Sequence, residues 1–346
     1  MSKIKLGVLG SNGYVGYELV RLLLNHEAVE IKYLSSRTHK GKKYYELYPN
    51  LYGKIDLEFE DVNLEKCKEL DLLFCATPQG FCASIINEDL LKSTKIIDLS
   101  ADFRIKNAKV YEQYYKIEHK AKDFLNEAVY GLCEIHRNEI KKARLIANPG
   151  CYTTCSILSL YPLVKENLID KDFIIIDAKS GTSGAGREAK LDSLFCEVNE
   201  NIKAYGLKTH RHTPEIEQEL SLALNDEVKL QFTPHLIPMQ RGILSTSYVR
   251  LKEKLSEEEV RLVYEKYYKD EYFVRLLPKD ILPQSKFVRG SNYVDINISL
   301  DTRTNNLLVL ASLDNLIKGA AGQAIQNMNI LFNLDEKTGL QGLAEI

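Results

Sequence analysis

The chain has 346 residues, a length that predicts two domains rather than one. Hydrophobic residues make up 45% and charged residues 27%, which excludes a disordered, collagen-like or coiled-coil protein. The formal net charge is -2, from 46 basic and 48 acidic side chains with no block of one sign, so neither a nucleic acid nor a membrane surface is expected as partner. The first residues, MSKIKLGVLGSNG, do not read as a secretory leader, and no later apolar run is long enough to span a bilayer. Seven cysteines, an odd number without CxxC pairs, argue against a disulfide scaffold or a structural zinc and for a reducing cytoplasm.

Short apolar runs at Ile4–Leu9, Glu30–Leu34, Asp71–Ala76, Lys95–Leu99 and Leu145–Ala147 read as buried parallel strands. Tyr14–Leu24 lies between the first two, with Leu19, Leu22 and Leu23 at helical spacing. Strand and helix in alternation predict an α/β domain with a doubly covered parallel sheet. After about residue 150 the runs lengthen and several alternate: Phe173–Ala178, Lys229–Thr233, Ile243–Leu251, Tyr272–Leu276, Tyr293–Leu300 and Leu307–Leu313. Asp301–Asn306 reads as a turn between the last two, and Glu257–Tyr268 as a covering helix. A mixed or antiparallel sheet with helices on one face is expected, the domains meeting at Asn148–Cys151. A last helix is predicted over Asn315–Asn333, with small residues in Lys318–Gly322 that allow close approach to something.

Gly10, Ser11, Asn12, Gly13, Tyr14, Val15 and Gly16 follow the first strand and open the first helix. There the backbone can turn tightly, and free N–H groups with the helix dipole favour a pyrophosphate. The spacing is GxxGxxG, so position carries more weight than pattern; the competing reading is a turn that only packs helix on strand. The second strand runs into Ser35, Ser36, Arg37 and Thr38 with no acid at its end, which favours NADP over NAD, with Ser36 and Arg37 on the 2′-phosphate. A solvated basic loop is the alternative.

Cys151, in Asn148-Pro-Gly-Cys151, stands where a strand ends and a helix begins. The dipole there lowers a thiol pKa, which suits a nucleophile. Cys75 and Cys155, inside apolar periodic segments, read as core instead. His210 and His212 form the densest histidine site. In an extended stretch they point to one side, with Thr213 able to cap and Pro214 to start the next helix. Either can be the acid/base, and a metal is discounted for want of further ligands. The Ser180–Gly186 loop, with Ser180, Gly181, Ser183 and Gly184, suggests a cradle of backbone N–H groups for an oxyanion or phosphate; a merely flexible glycine loop is the alternative. Thiolate, NADP and a reducible carbonyl together suggest acyl transfer to cysteine followed by hydride reduction.

These motifs, with Asp98–Arg104, Tyr130–Leu132, Phe232–Leu236, Arg241-Gly242, Gly290–Asn292 and Asp314-Asn315, resemble in order the N-acetyl-gamma-glutamyl-phosphate reductase family of arginine biosynthesis. That family is akin to the aspartate-semialdehyde dehydrogenases. The resemblance implies a Rossmann-like NADP domain (1–148 and 315–346) and an α+β substrate and dimerisation domain (149–314) of the glyceraldehyde-3-phosphate dehydrogenase type. It implies Cys151 as nucleophile and an HRH histidine as acid/base. It further implies Asn315 beside the nicotinamide, Ser183 and Gly184 on the cofactor, and Arg104, Asn148, Ser180, Gly181 and Glu215 on an acyl-phosphate substrate. For Arg104 a structural pairing with Asp102 is an equal reading. A homodimer or homotetramer is implied. Reduction of a homologous aminoadipyl phosphate in lysine synthesis, free or carrier-bound, is the alternative, and a non-catalytic NADP sensor a more distant one.

Overall fold

A computed structural model describes residues 2–344. The chain divides into two compact units. One holds the residues up to Pro149 together with Ala320–Gln341; the other is Gly150–Gly319 with the described residues from Gly342 on. The chain thus passes between units at Pro149–Gly150 and again at Gly319–Ala320. The return comes at 320 rather than at 315, because residues 315–319 are bonded into the second unit, as described below.

The first unit is built on a parallel six-stranded sheet. Its strands are β1 (Ile4–Leu9), β2 (Val29–Ser35), β3 (Leu72–Cys75), β4 (Lys95–Asp98), β5 (Val129–Tyr130) and β6 (Leu145–Ala147), in the order β2-β1-β3-β4-β6-β5. Every neighbouring pair is parallel. Five strands fall where the apolar runs put them. The sixth, β5, is only two residues long and lies on the edge, too short to leave a periodic signal. The order reverses between β1 and β3, and in open sheets of this kind ligands bind at such a switch point, beyond the carboxyl ends of the strands. The Tyr14–Leu23 helix buries Leu19, Val20 and Leu23. A core of Leu9, Leu73, Cys75, Leu90, Ile96 and Phe103 fills one side of the sheet.

The closing helix of this unit starts later than expected. Residues 317–321 form a π-helical turn, and the α-helix is Gly322–Leu331, buried along its whole length. Its amide side chains explain how polar residues lie inside. Gln323 and Asn327 donate to the Gly131 carbonyl at 2.9 and 2.8 Å, and Asn329 Oδ1 lies 2.9 Å from His26 Nε2. Satisfied buried amides cost little, whereas orphaned ones would be expensive.

The second unit carries a mixed seven-stranded sheet: β7 (Ile169–Ser180), β8 (Lys203–Ala204), β9 (Gln231–Leu236), β10 (Ile243–Leu251), β11 (Val274–Leu276), β12 (Val294–Asp301) and β13 (Asn306–Leu313), in the order β11-β12-β13-β10-β7-β9-β8. Pairs β11·β12 and β7·β9 are parallel and the rest antiparallel. β7 starts before its apolar stretch, because Ile169 pairs with Leu251 beyond an irregularity in the register that follows the Val249–Ile174 pair. The Asp301–Asn306 turn joins β12 to β13 in register. On β10, Ile243, Ser245, Ser247 and Val249 are buried while Leu244, Thr246 and Tyr248 face outward, the alternation of a strand covered on one side. The cover is the Cys151–Lys165 helix, which packs on β10 and β13 and against the Thr213–Leu224 helix.

Candidate active site

In the first unit the glycine turn lies at the switch point. A β-carbon on Gly10, which has φ +72°, would come within 2.3 Å of the Ala76 carbonyl at the end of β3. One on Gly16 would come within 2.4 Å of the Gly10 carbonyl and 2.6 Å of Ser11 Cα. Both glycines are therefore required by close approach. Gly13 caps the helix in extended conformation, with no side-chain cap and no acid in the first turn, which leaves that end open to an anion. Ser11 is committed elsewhere: its amide and hydroxyl both donate to the Ser35 carbonyl, at 3.2 and 3.1 Å. Tyr44 and Tyr48 donate to the carbonyls of Ser11 and Asn12 at 3.0 and 2.8 Å, props that sequence spacing did not reveal.

At the end of β2, Ser36 is buried, with its hydroxyl 3.3 Å from Thr38 Oγ1. Arg37 is exposed and has no salt bridge among the described residues. An acid missed in the sequence does stand here. The Ser36 amide donates to the Glu60 carbonyl, but the carboxylates of Glu60 and its neighbour Asp61 are paired with Lys66 and Lys40. Arg37 thus stands exposed beside acids that are paired with lysines.

Beyond β4, residues 98–104 form a tightly held loop. Asp98 accepts the amides of Ser100 and Asp102 at 2.9 and 3.1 Å. Asp102 in turn accepts the amides of Gly80 and Ala83 and the Tyr111 hydroxyl, at 2.7, 3.0 and 2.7 Å. Burial, with Asp102 beside it, pushes the Asp98 carboxyl up to about 6. Ala101 sits at φ +125°, a conformation that costs a non-glycine residue about 1–3 kcal/mol and is found where the surroundings over-determine it. The loop ends in Arg104, mostly buried, whose Nη2 donates to the Leu99 carbonyl at 2.9 Å. Asn148, at the end of β6, has its amide spent inside the unit. It donates to Ala320 O at 3.1 Å and accepts from Asn327 Nδ2 at 3.0 Å. Those bonds clamp the end of β6 to the closing helix.

In the second unit Cys151 is the first residue of its helix, half-buried, behind Gly150 in extended conformation at φ -77° and ψ 161°. The buried Glu215 carboxylate accepts the Gly150 amide at 3.1 Å and the Thr153 hydroxyl at 2.8 Å, so it braces the turn that presents Cys151. The histidines do come together, though not as an extended pair. Residues 207–212 form turns, His212 has helical dihedrals as the cap of the Thr213–Leu224 helix, and Thr213 is its first residue rather than its cap. The turn lets the His212 amide donate to His210 Nδ1 at 3.1 Å and brings the ring centroids to 4.9 Å. His210 is boxed by Tyr152, Tyr205 and Phe232 at 5.7, 5.5 and 5.1 Å; sequence motifs included Tyr152 and Phe232 but gave neither this role. Burial, with His212 and Arg211 nearby, pushes it down to about 2, so it stays neutral. Cys155, by contrast, is buried with its thiol pushed well up by desolvation, as befits a core residue.

The Ser180–Gly186 loop departs from expectation. The amides of Gly181, Thr182 and Ser183 donate to the carbonyls of Gly242, Met239 and Gln240 at 3.0, 2.9 and 3.0 Å, and that of Gly186 to Ser183 O at 3.1 Å. These donors are spent, so they form no cradle for an anion. The loop is pinned rather than flexible, with Gly181 needed because a β-carbon there would lie 2.7 Å from the Arg241 amide. Asn315 ties it down: its Oδ1 accepts the Gly242 amide at 2.7 Å and its Nδ2 donates to Ser183 Oγ at 3.0 Å.

Two family models cover this chain, "Semialdehyde dehydrogenase, NAD binding domain" over residues 5–143 and "Semialdehyde dehydrogenase, dimerisation domain" over 151–315. Aspartate semialdehyde dehydrogenase II of Vibrio cholerae, solved in complex with ASA, superposes with a TM-score of 0.73 at 16% identity, covering 96% of this chain and 99% of that one. The Candida albicans aspartate semialdehyde dehydrogenase, solved with NADP, gives 0.67 at 20%, covering 96% and 99%. Fold and domain content therefore place the protein among the semialdehyde dehydrogenase-type oxidoreductases. Within that class, three relatives carry the name N-acetyl-gamma-glutamyl-phosphate reductase. The protein of Campylobacter jejuni subsp. jejuni serotype O:6 is 60% identical over 99% of this chain and 100% of its own. Those of Lachnoclostridium phytofermentans and Alkaliphilus metalliredigens are 57% and 53% identical, each over 98% of both chains. The chain belongs to the N-acetyl-gamma-glutamyl-phosphate reductase family.

Proposed function

We propose that the protein reduces N-acetyl-L-glutamyl 5-phosphate to N-acetyl-L-glutamate 5-semialdehyde and phosphate, with NADPH, in arginine biosynthesis. The observation that carries this is a thiol at a helix start, braced by Glu215 and accompanied by a histidine pair, in a chain of this family. The Cys151 thiolate attacks the acyl carbon, the carbon–oxygen bond to phosphate breaks, and a thioester forms. NADPH, held by the Gly10–Gly16 turn and Arg37, would supply a hydride for that thioester. His212 gives a proton to the thiohemiacetal oxygen and takes it back as the carbon–sulfur bond breaks and the aldehyde leaves. Arg104 suits the phosphoryl group, since a guanidinium can offer two parallel donors. The test runs in both directions. Acyl phosphate should be reduced with release of phosphate, and the semialdehyde oxidised only when phosphate is present to accept the acyl group from Cys151. A higher kcat/KM on an aminoadipyl phosphate would overturn the substrate, and phosphate-independent oxidation would overturn the reaction.

NADP is the expected cofactor because of Arg37. The glycine turn fits a pyrophosphate, and an exposed guanidinium without an acidic partner at the end of β2 fits a 2′-phosphate. Arg37→Ala is expected to raise KM for NADPH by roughly tenfold or more while leaving that for NADH unchanged, as loss of one charge-assisted contact implies. Steady-state titration with each cofactor measures it, and an equal loss with both would assign Arg37 a structural role.

The outward face of the second sheet, with Ile175, Leu244, Tyr248, Leu308 and Leu310 on neighbouring strands, offers an apolar surface for a second copy. A homodimer, or a tetramer built from two, is expected by light scattering at micromolar concentration. A monomer mass would refute it. A soluble cytoplasmic protein accords with this reading; no helix among the described residues is long and apolar enough to cross a membrane.

A further inference from the structure

The small residues of Lys318–Gly322 play no part in the chemistry above, yet one of them meets the nucleophile. Asp314, just beyond β13, is fully buried, and its carboxylate is gripped from several sides. Arg241 reaches it with two nitrogens at 3.1 Å, and the amides of Gly290, Leu316 and Ile317 donate to it at 2.7, 2.8 and 3.0 Å. The carbonyl of the same residue accepts the Gly319 amide at 2.9 Å, a closure five residues wide that makes the π turn at 317–321. Such a turn displaces one residue from the helical path, and π turns recur at functional sites.

The residue so displaced is Gly319, and what it touches is Cys151. A β-carbon built on Gly319 would lie 2.6 Å from the β-carbon of Cys151 and 3.0 Å from its α-carbon. Carbon atoms pack at about 3.5–4.0 Å, so only a bare backbone fits. Nothing else in the run is needed for this contact, and an ordinary α-helical start at 315 would not make it.

We propose that Gly319 is a positioning residue for the nucleophile. Its backbone, set in place by the Arg241–Asp314 pair, walls one side of Cys151 at the root of the side chain and restricts the staggered orientations open to the thiol. The inference rests on Cys151 being the nucleophile. The contact is with the α- and β-carbons, so the wall acts at the root of the side chain.

The test is Gly319→Ala in a Cys196→Ser background, because Cys196 is exposed and would otherwise react with the probe. Loss of alignment by a fraction of an ångström is expected to lower kcat on the order of 10²-fold with KM nearly unchanged. The rate of Cys151 alkylation by iodoacetamide should fall as well, and its pH profile should shift. A merely structural helix position would behave otherwise, since alanine is the better helix former and would leave the alkylation profile alone. Wild-type kcat together with a wild-type alkylation profile would overturn the proposal. If Gly319→Ala does not fold, Arg241→Lys keeps the charge but loses the two-nitrogen grip on Asp314, and is read by the same alkylation. An unchanged profile there would equally overturn it. Full activity in Cys151→Ser would instead sink the nucleophile assignment, a result separable from either.

Discussion

Cys151→Ser is expected to fold, to bind NADP as the wild type does, and to lose turnover by on the order of 10⁴–10⁶-fold, the scale seen when a covalent nucleophile is removed. The substitution changes one atom and leaves the surrounding bonds in place. Glu215 still accepts the Gly150 amide and the Thr153 hydroxyl, and Thr154 still donates to the Gly150 carbonyl at 2.9 Å. What changes is ionisation. A thiol at the positive end of a helix dipole has an appreciable thiolate fraction near neutral pH, whereas a hydroxyl in the same place does not. The check is single-turnover kinetics with acyl phosphate, together with mass spectrometry for the acyl-enzyme. A wild-type rate, or a trapped acyl group on any residue other than 151, would refute the assignment.

His212→Asn should lower kcat by roughly 10²–10⁴-fold, the usual worth of a positioned acid/base, while His210→Asn should cost much less in kcat and more in stability. The two imidazoles touch, but their surroundings separate them. His210 is enclosed by Tyr152, Tyr205 and Phe232, its Nδ1 accepts the backbone amide of residue 212, and burial holds it near a pKa of about 2. A histidine held so far below its ordinary range stays neutral and is not the proton donor at neutrality. Since its folded pKa lies below the free histidine value, it favours the neutral form, and protonation on acidification works against folding. Losing the ring would leave a hole in an aromatic cluster and free the turn that sets His212. The discriminating measurement is kcat against melting temperature for the pair of variants. Equal losses of kcat in two well-folded proteins would return the question to both histidines.

The parallel sheet was legible in the sequence because fully buried strands must be apolar throughout, and β1 and β6 fall on the expected residues. The two-residue strands β5 and β8 were not, since a pair of residues has no period. Cys151 was legible for a different reason: Pro149 and Gly150 mark a turn, and a turn into a helix is a local event. The misreadings share a cause. The amides of Ser180–Gly186, the side chain of Asn148 and the extended form expected of His210–His212 all depend on what lies across the fold. Met239–Gly242 takes the loop amides, Ala320 and Asn327 take Asn148, and the turn at 207–212 overrides the pleat. The same holds for Gly319, whose need for glycine is set by Cys151, far away in the chain. Spacing can propose a functional group, but only the third dimension shows whether its donors are already engaged.

The first unit is closed by a helix from the far end of the chain, and this bears on how the protein is made. Gly322–Leu331 is buried throughout, and its Gln323, Asn327 and Asn329 bond to Gly131, Asn148 and His26. On the ribosome those partners emerge early and wait, while Gly150–Gly319 is synthesised before the helix exists. At translation rates of 5–20 residues per second the delay is roughly ten to thirty seconds. Through that interval the sheet unit lacks its closing helix, while the second unit already has all but its last few residues. Order of synthesis and order of completion are therefore reversed: the domain begun first is finished last, and the nascent chain most needs a chaperone at its amino-terminal end.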